Sequence, residues 1–152
     1  MIPDLKADRD FQIRNYEAAL RSVLLLIDKK LLSVDGKKEL QKINKASQAG
    51  QANGSFGGTG QNDFAFQAGC TANVVLIADG VCYCANAGDA RSVLSEKGKA
   101  VDLSKDHKPD LPAERSRVLA AGHHVEDGRV DGIIAISRAI GDWEYKSASL
   151  EP

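Results

Sequence analysis

Apolar and polar positions alternate with different periods along this chain, and the periods mark its elements. Val74-Val75-Leu76-Ile77 is apolar at every position, so the reading is a strand covered on both faces. Asp79-Gly80 follows, a pair that favours tight hairpin turns, and Val81 to Ala87 reads as the returning strand. That strand runs into Gly88-Asp89, a carboxylate at a kink, and a third strand follows through Val93-Leu94. Upstream, Phe11, Tyr16, Leu20, Val23, Leu24, Ile27 and Leu31 recur mostly at steps of three or four, predicting one long amphipathic helix capped by Asp8 or Asp10. Lys29 and Lys30 suit its C-terminal dipole, and Gly36 is its expected terminator.

The remaining segments are shorter. Lys37–Ala46 reads as a polar helix, and 47–61, rich in Gly, Ser, Asn and Gln, as a flexible loop. The glycines of that loop do not make a phosphate loop, since no Lys-Ser or Lys-Thr follows them. Ala100 to Ser104 alternates as a half-exposed strand. Pro112 sets a helix start at Asp110 or Leu111, and Gly122 stops that helix after Ala121. Two short strands follow, punctuated by Asp127-Gly128 and Asp131-Gly132. Helices combined with a meander of strands indicate an α+β fold with an antiparallel sheet.

Composition narrows the class. The chain has 152 residues, 43% of them hydrophobic, which is enough for a globular domain or part of one. Its formal net charge of -1 argues against a nucleic-acid binder driven by bulk charge. No apolar run has the length to cross a bilayer, so no membrane is expected as a partner. Met1 to Lys6 lacks a basic head followed by an apolar stretch, so no signal peptide is read there. The odd cysteine count of Cys70, Cys82 and Cys84 offers no disulfide framework, and all three are expected to be buried and structural. The expected setting is reducing and intracellular, cytoplasmic or nuclear.

Few residues suggest chemistry by themselves. Asp89 is the strongest candidate, against the alternative of a turn aspartate bonded to nearby amides. Arg91, two residues on, is a candidate ion-pair partner for it. Arg138 offers an anion-binding guanidinium, or a pair with Asp142 four residues away. His107, His123 and His124 have no zinc-type spacing and read as structural or exposed.

Several motifs then align in order. They are Gly69-Cys70-Thr71-Ala72, Ala87-Gly88-Asp89-Ala90-Arg91, Asp106-His107-Lys108-Pro109-Asp110, Glu114 through Gly122, Gly128-Arg129-Val130 and Ser137-Arg138-Ala139-Ile140-Gly141-Asp142. Trp143-Glu144-Tyr145-Lys146 extends the last. Together they resemble the metal-dependent protein serine/threonine phosphatases of the 2C type over nearly the whole chain. The resemblance implies an antiparallel β-sandwich with flanking helices, of which residues 1–152 form a part. It implies two Mn²⁺ or Mg²⁺ ions and a bridging water that attacks phosphoserine or phosphothreonine in protein substrates. Asp89 matches an aspartate that helps hold a third, weaker metal ion. Thr71 is implied to lie on a strand lining the site. Residues of about 110–146 correspond to a flap beside the substrate groove, with Arg138 and Asp142 in its closing motif.

The family's D-G-H-G-G, D-G-x-W-D and D-N metal motifs do not occur in this sequence. The expectation is therefore a central fragment of a catalytic domain, inactive by itself, from a full-length phosphatase. The competing expectation is a non-catalytic pseudophosphatase or interaction module on the same scaffold. Unpaired strand edges lead to a further expectation, self-association of the fragment.

Overall fold

The computed structural model describes residues 1–49 and 67–146. Four helices come first: α1 (Ile2–Ala7), α2 (Arg9–Gln12), α3 (Tyr16–Leu31) and α4 (Val34–Ala49). Strands β1 (Gly69–Cys70), β2 (Ala72–Ala78), β3 (Val81–Ala87), β4 (Val93–Glu96) and β5 (Lys99–Asp102) follow. Helix α5 (Pro112–Ala120), strands β6 (Val125–Glu126), β7 (Arg129–Val130) and β8 (Ile140–Gly141), and a 3-10 turn at Trp143–Tyr145 complete the order. The described strands pair antiparallel as β2–β3, β4–β5, β6–β7 and β1–β8. The class is the α+β arrangement of helices on antiparallel strands that the sequence implies. The glycine-rich loop expected over 47–61 lies outside the described residues from Gly50 onward, and α4 takes its first three positions.

The hairpin forms where its pattern puts it. Ala72 pairs with Ala87, and the register runs without a bulge to Ala78 opposite Val81. Asp79 and Gly80 both take positive φ, 52° and 77°, the geometry of a turn whose twist matches the strands. Val74, Leu76, Tyr83 and Ala85 pack on a core of Leu5, Ala19, Leu20 and Val23. Helix α3 therefore covers one face of the hairpin only. On the other face Val75 is 43% exposed and Ile77 77% exposed, so the expectation of cover on both sides does not hold. Cys82 and Cys84 stand opposite Ile77 and Val75 on that open face. Cys70 and Cys82 are exposed and Cys84 is half-buried, which corrects the reading of three buried cysteines.

The predicted long helix is broken. Asp8 does cap, accepting from the backbone N–H of Asp10 at 2.9 Å and of Phe11 at 3.2 Å, but it caps the short α2. Arg14 then turns with φ 63°, and Asn15 bonds back to the Asp10 carboxylate at 3.0 Å before α3 begins. Gly36 is no terminator but sits in the first turn of α4. A Cβ there would lie 2.0 Å from the Lys30 carbonyl oxygen, so glycine lets α4 start hard against the end of α3. Helix α1 was not visible in the pattern; Pro3 in its first turn and the Lys30–Asp4 ion pair to α3 secure it.

Candidate functional site

Asp89 stands where β3 leaves the hairpin. Gly88 before it has φ 105°, and a Cβ on Gly88 would lie 2.4 Å from Thr71 Cγ2. Only glycine permits both the backbone turn and this approach. Thr71, between β1 and β2, thus packs against the residue preceding Asp89. His107 clasps the same glycine twice. Its N–H donates to the Gly88 carbonyl at 2.9 Å, and its ring Nδ1 accepts from the Gly88 N–H at 3.2 Å. An accepting Nδ1 leaves the neutral ring's proton on Nε2. Burial pushes the His107 imidazole below its ordinary pKa, and the Arg138 charge adds to that. Asn86 holds the kink from behind, donating to the carbonyls of Gly88 at 3.0 Å and Lys105 at 2.9 Å.

The Asp89 carboxylate accepts from the Lys108 ammonium, and both side chains are partly open to solvent. The pairing with Arg91 suggested by sequence separation is replaced. Arg91 makes a two-point bond to Asp106, at 2.7 Å and 2.8 Å. Residues 89 and 91, two apart, meet Lys108 and Asp106, also two apart, on the facing segment.

A second set of contacts centres on Glu114, in the first turn of α5 and 6% exposed. It accepts from Arg138 Nε and Nη2 at 2.8–3.0 Å, from Arg117 Nη2 at 2.9 Å and from Ser137 Oγ at 2.7 Å. Burial alone raises a carboxyl pKa, yet these donors hold Glu114 down to about 2. Arg138 takes Glu114 as its partner in place of Asp142. Ser137 joins this set to the first, its N–H donating to the His107 carbonyl at 3.0 Å.

Asp142 belongs to a third set. It takes left-handed φ 51° after β8, and its carboxyl fills the space that a Cβ on Gly69 would need, 2.2 Å from its Cγ. Burial pushes its pKa up, and Lys146 pulls against that. Asp28 of α3 accepts from the Gly141 N–H at 2.6 Å and from Lys146 Nζ at 2.8 Å. The structure therefore gathers Thr71 and Asp89 with His107 and Lys108, links Arg138 to them through Ser137, and seats Asp142 against β1. Sequence reasoning passed over His107, Lys108 and Asp28 as partners. The Asp-His-Lys-Pro run carried a signal for the first two, as consecutive polar groups where regular structure stops. Asp28 had none, because its partners lie more than a hundred residues away.

The metal chemistry of the resemblance can be tested on this donor set. Asp89 supplies hard oxygen suited to a divalent ion. One carboxylate already held by an ammonium is a single arm, and the described residues contain no group of three or more His, Cys, Asp or Glu able to hold an ion. These residues by themselves do not fit a two-ion centre.

Comparison with known proteins agrees with the motif order. The family model described as Protein phosphatase 2C matches residues 11–152. "Probable protein phosphatase 2C 5" of Paramecium tetraurelia is 44% identical over 146 residues, covering 96% of this chain and 44% of that protein. "Protein phosphatase 2C homolog 3" of Schizosaccharomyces pombe is 58% identical over 84 residues, 55% of this chain and 20% of its own length. A crystal structure of a phosphatase from a pathogenic strain of Toxoplasma gondii shares 46% identity, covering 45% of this chain and 22% of its own, with a TM-score of 0.43. The chain thus spans less than half the length of the Paramecium relative. With the family model matching all but its first ten residues, the chain belongs to the protein phosphatase 2C family.

Proposed function

We propose that the whole protein is a metal-dependent phosphatase that removes phosphate from phosphoserine and phosphothreonine in proteins. The observation that carries this reading is the family match across residues 11–152. Mn²⁺ or Mg²⁺ is the proposed cofactor, with Asp89 contributing one carboxylate and donors outside the described residues the rest. In this reading Gly88 and His107 orient the Asp89 carboxylate, and Thr71 packs against its base. Lys108 neutralises that carboxylate while no other cation does. Residues of about 110–146 act as the flap, with Arg138 braced on Glu114 and Asp142 braced beside Gly69. The chain 1–152 alone is proposed to be inactive.

A chimera tests this. The matched segment of the Paramecium relative is replaced by this chain, and p-nitrophenyl phosphate and phosphothreonine peptide hydrolysis are measured with Mn²⁺, with Mg²⁺ and with chelator. Metal-dependent turnover by the chimera, reduced by Asp89→Asn, is the expected result. A folded chimera without turnover, beside an active parent, overturns the reading. Metal-dependent turnover by the isolated chain overturns its proposed inactivity.

A further inference from the structure

The β2–β3 hairpin leaves the outer edge of β3 open. Among the described strands β3 pairs with β2 alone. Ala78 and Val81 flank the two-residue turn at Asp79-Gly80, so they form a hydrogen-bonded pair of the ladder. Alternation from that pair gives Tyr83 and Ala85 the same inward bonding, and it turns the N–H and C=O of Cys82 and Cys84 away from β2. Among the described residues no backbone bond reaches those outward groups. The edge also lacks the devices that discourage pairing. Val81 to Ala85 contains no charge and no proline, and its register has no bulge.

A groove of about 380 Å³ runs along this edge. Every residue from Val81 to Ala85 lines it, so it opens on the backbone of the strand and not on one of its faces. Its other wall is α3, through Glu17, Leu20 and Arg21. Glu17 and Arg21 are exposed, and among the described residues neither side chain has an ion pair or a hydrogen bond. Four positions apart on one helix, they set a negative and a positive charge side by side along the groove.

We propose that a second copy of this chain docks on this groove, its β3 antiparallel to this β3 and its α3 beside this α3. A two-fold axis at Tyr83 sets Cys82 opposite Cys84 of the second copy, and Cys84 opposite its Cys82. Both outward-facing residues then exchange their N–H and C=O bonds across the new ladder. The contact is isologous, so Glu17 of each copy meets Arg21 of the other. The charges along the groove are therefore complementary to themselves, which selects a second copy over a strand flanked by one sign of charge. Two hairpins joined in this way make a four-stranded sheet with both α3 helices on one face. Such a sheet is stable where a lone two-stranded hairpin is marginal. The contact rests on β3 and α3 alone and is independent of whether the whole protein is a phosphatase.

Sedimentation equilibrium of the chain between about 10 µM and about 1 mM should show monomer and dimer in exchange. Amide hydrogen exchange of the 15N-labelled chain at low and high concentration locates the contact. The Cys82 and Cys84 amides should gain protection as dimer forms. The amides of Val75 and Ile77, turned outward on the opposite edge by the same alternation, should not. Glu17→Arg or Arg21→Glu alone turns both attractive contacts into repulsive ones and should weaken dimerisation about tenfold. An equimolar mixture of the two single variants brings opposite charges together again and should recover the dimer. A monomer throughout the range, protection of Cys82 and Cys84 at every concentration alike, or protection of Val75 and Ile77 in their place overturns the proposal. Single variants that dimerise as well as the parent, or a mixture no better than its components, do so too. Both substitutions fall at exposed positions of α3. If either variant fails to fold, the concentration dependence at Cys82 and Cys84 decides.

Discussion

Arg138 closes on Glu114, 24 residues upstream, through both Nε and Nη2. The guanidinium fork matches the carboxylate edge, and Ser137 and Arg117 occupy the remaining lone pairs of the same side chain. A nearly buried carboxylate with this many donors keeps its charge at a depth where an unpaired one would not.

The first prediction concerns acid stability. The folded Glu114 pKa of about 2 lies below its ordinary 4.5. Its contribution is therefore fully present above pH 4.5 and is lost as pH falls through about 2. Glu114→Gln keeps the shape but removes the charge, and is expected to cost about 2–3 kcal/mol at pH 7. Urea denaturation followed by circular dichroism should show the variant with a flatter stability profile between those pH values. An unchanged profile would contradict the role given to this residue.

The second prediction separates two glycines of like conformation. Gly141 has φ 79° and Gly122 φ 88°. A Cβ on Gly141 would lie 2.1 Å from the Ala68 carbonyl oxygen, backbone that cannot step aside, whereas nothing lies within 4 Å of one on Gly122. Gly122→Ala should cost about 1 kcal/mol for the left-handed backbone alone, and Gly141→Ala more than about 3 kcal/mol. Comparable losses for the two in thermal unfolding would refute the close pairing of β1 with β8.

The third concerns the one-sided hairpin. Leu76 packs on the α3 core and Ile77 faces outward. Leu76→Ala is expected to cost about 2 kcal/mol, and Ile77→Ser to stay within about 0.5 kcal/mol. Chemical denaturation decides it: equal losses would mean that the outer face is covered in solution.

Elements governed by neighbouring residues were legible. Asp79-Gly80 turns the hairpin, and Pro112 opens α5 where expected. The kink at Gly88-Asp89 was also visible, since positive φ is a property of the glycine itself. The break at Arg14 left one trace, a step of five from Phe11 to Tyr16 where the positions from Tyr16 onward keep mostly to three or four, and a single irregular step does not distinguish a break from a drift of the apolar stripe. Cover on both faces of Val74–Ile77 was a reasonable reading of four apolar residues, but alternation of a strand sends only half of them to α3.

By itself, the order of residues determined the hairpin, its turn, the glycine kink presenting Asp89, the start of α5 and, through its motifs, the family. Tertiary structure decided who meets whom: Lys108 at Asp89, Glu114 at Arg138, Asp28 at Gly141, and two histidines at one aspartate. Backbone conformation depends on short-range sterics that a few residues encode. A long polar side chain has several partners within its reach, and only the packing of distant elements selects among them.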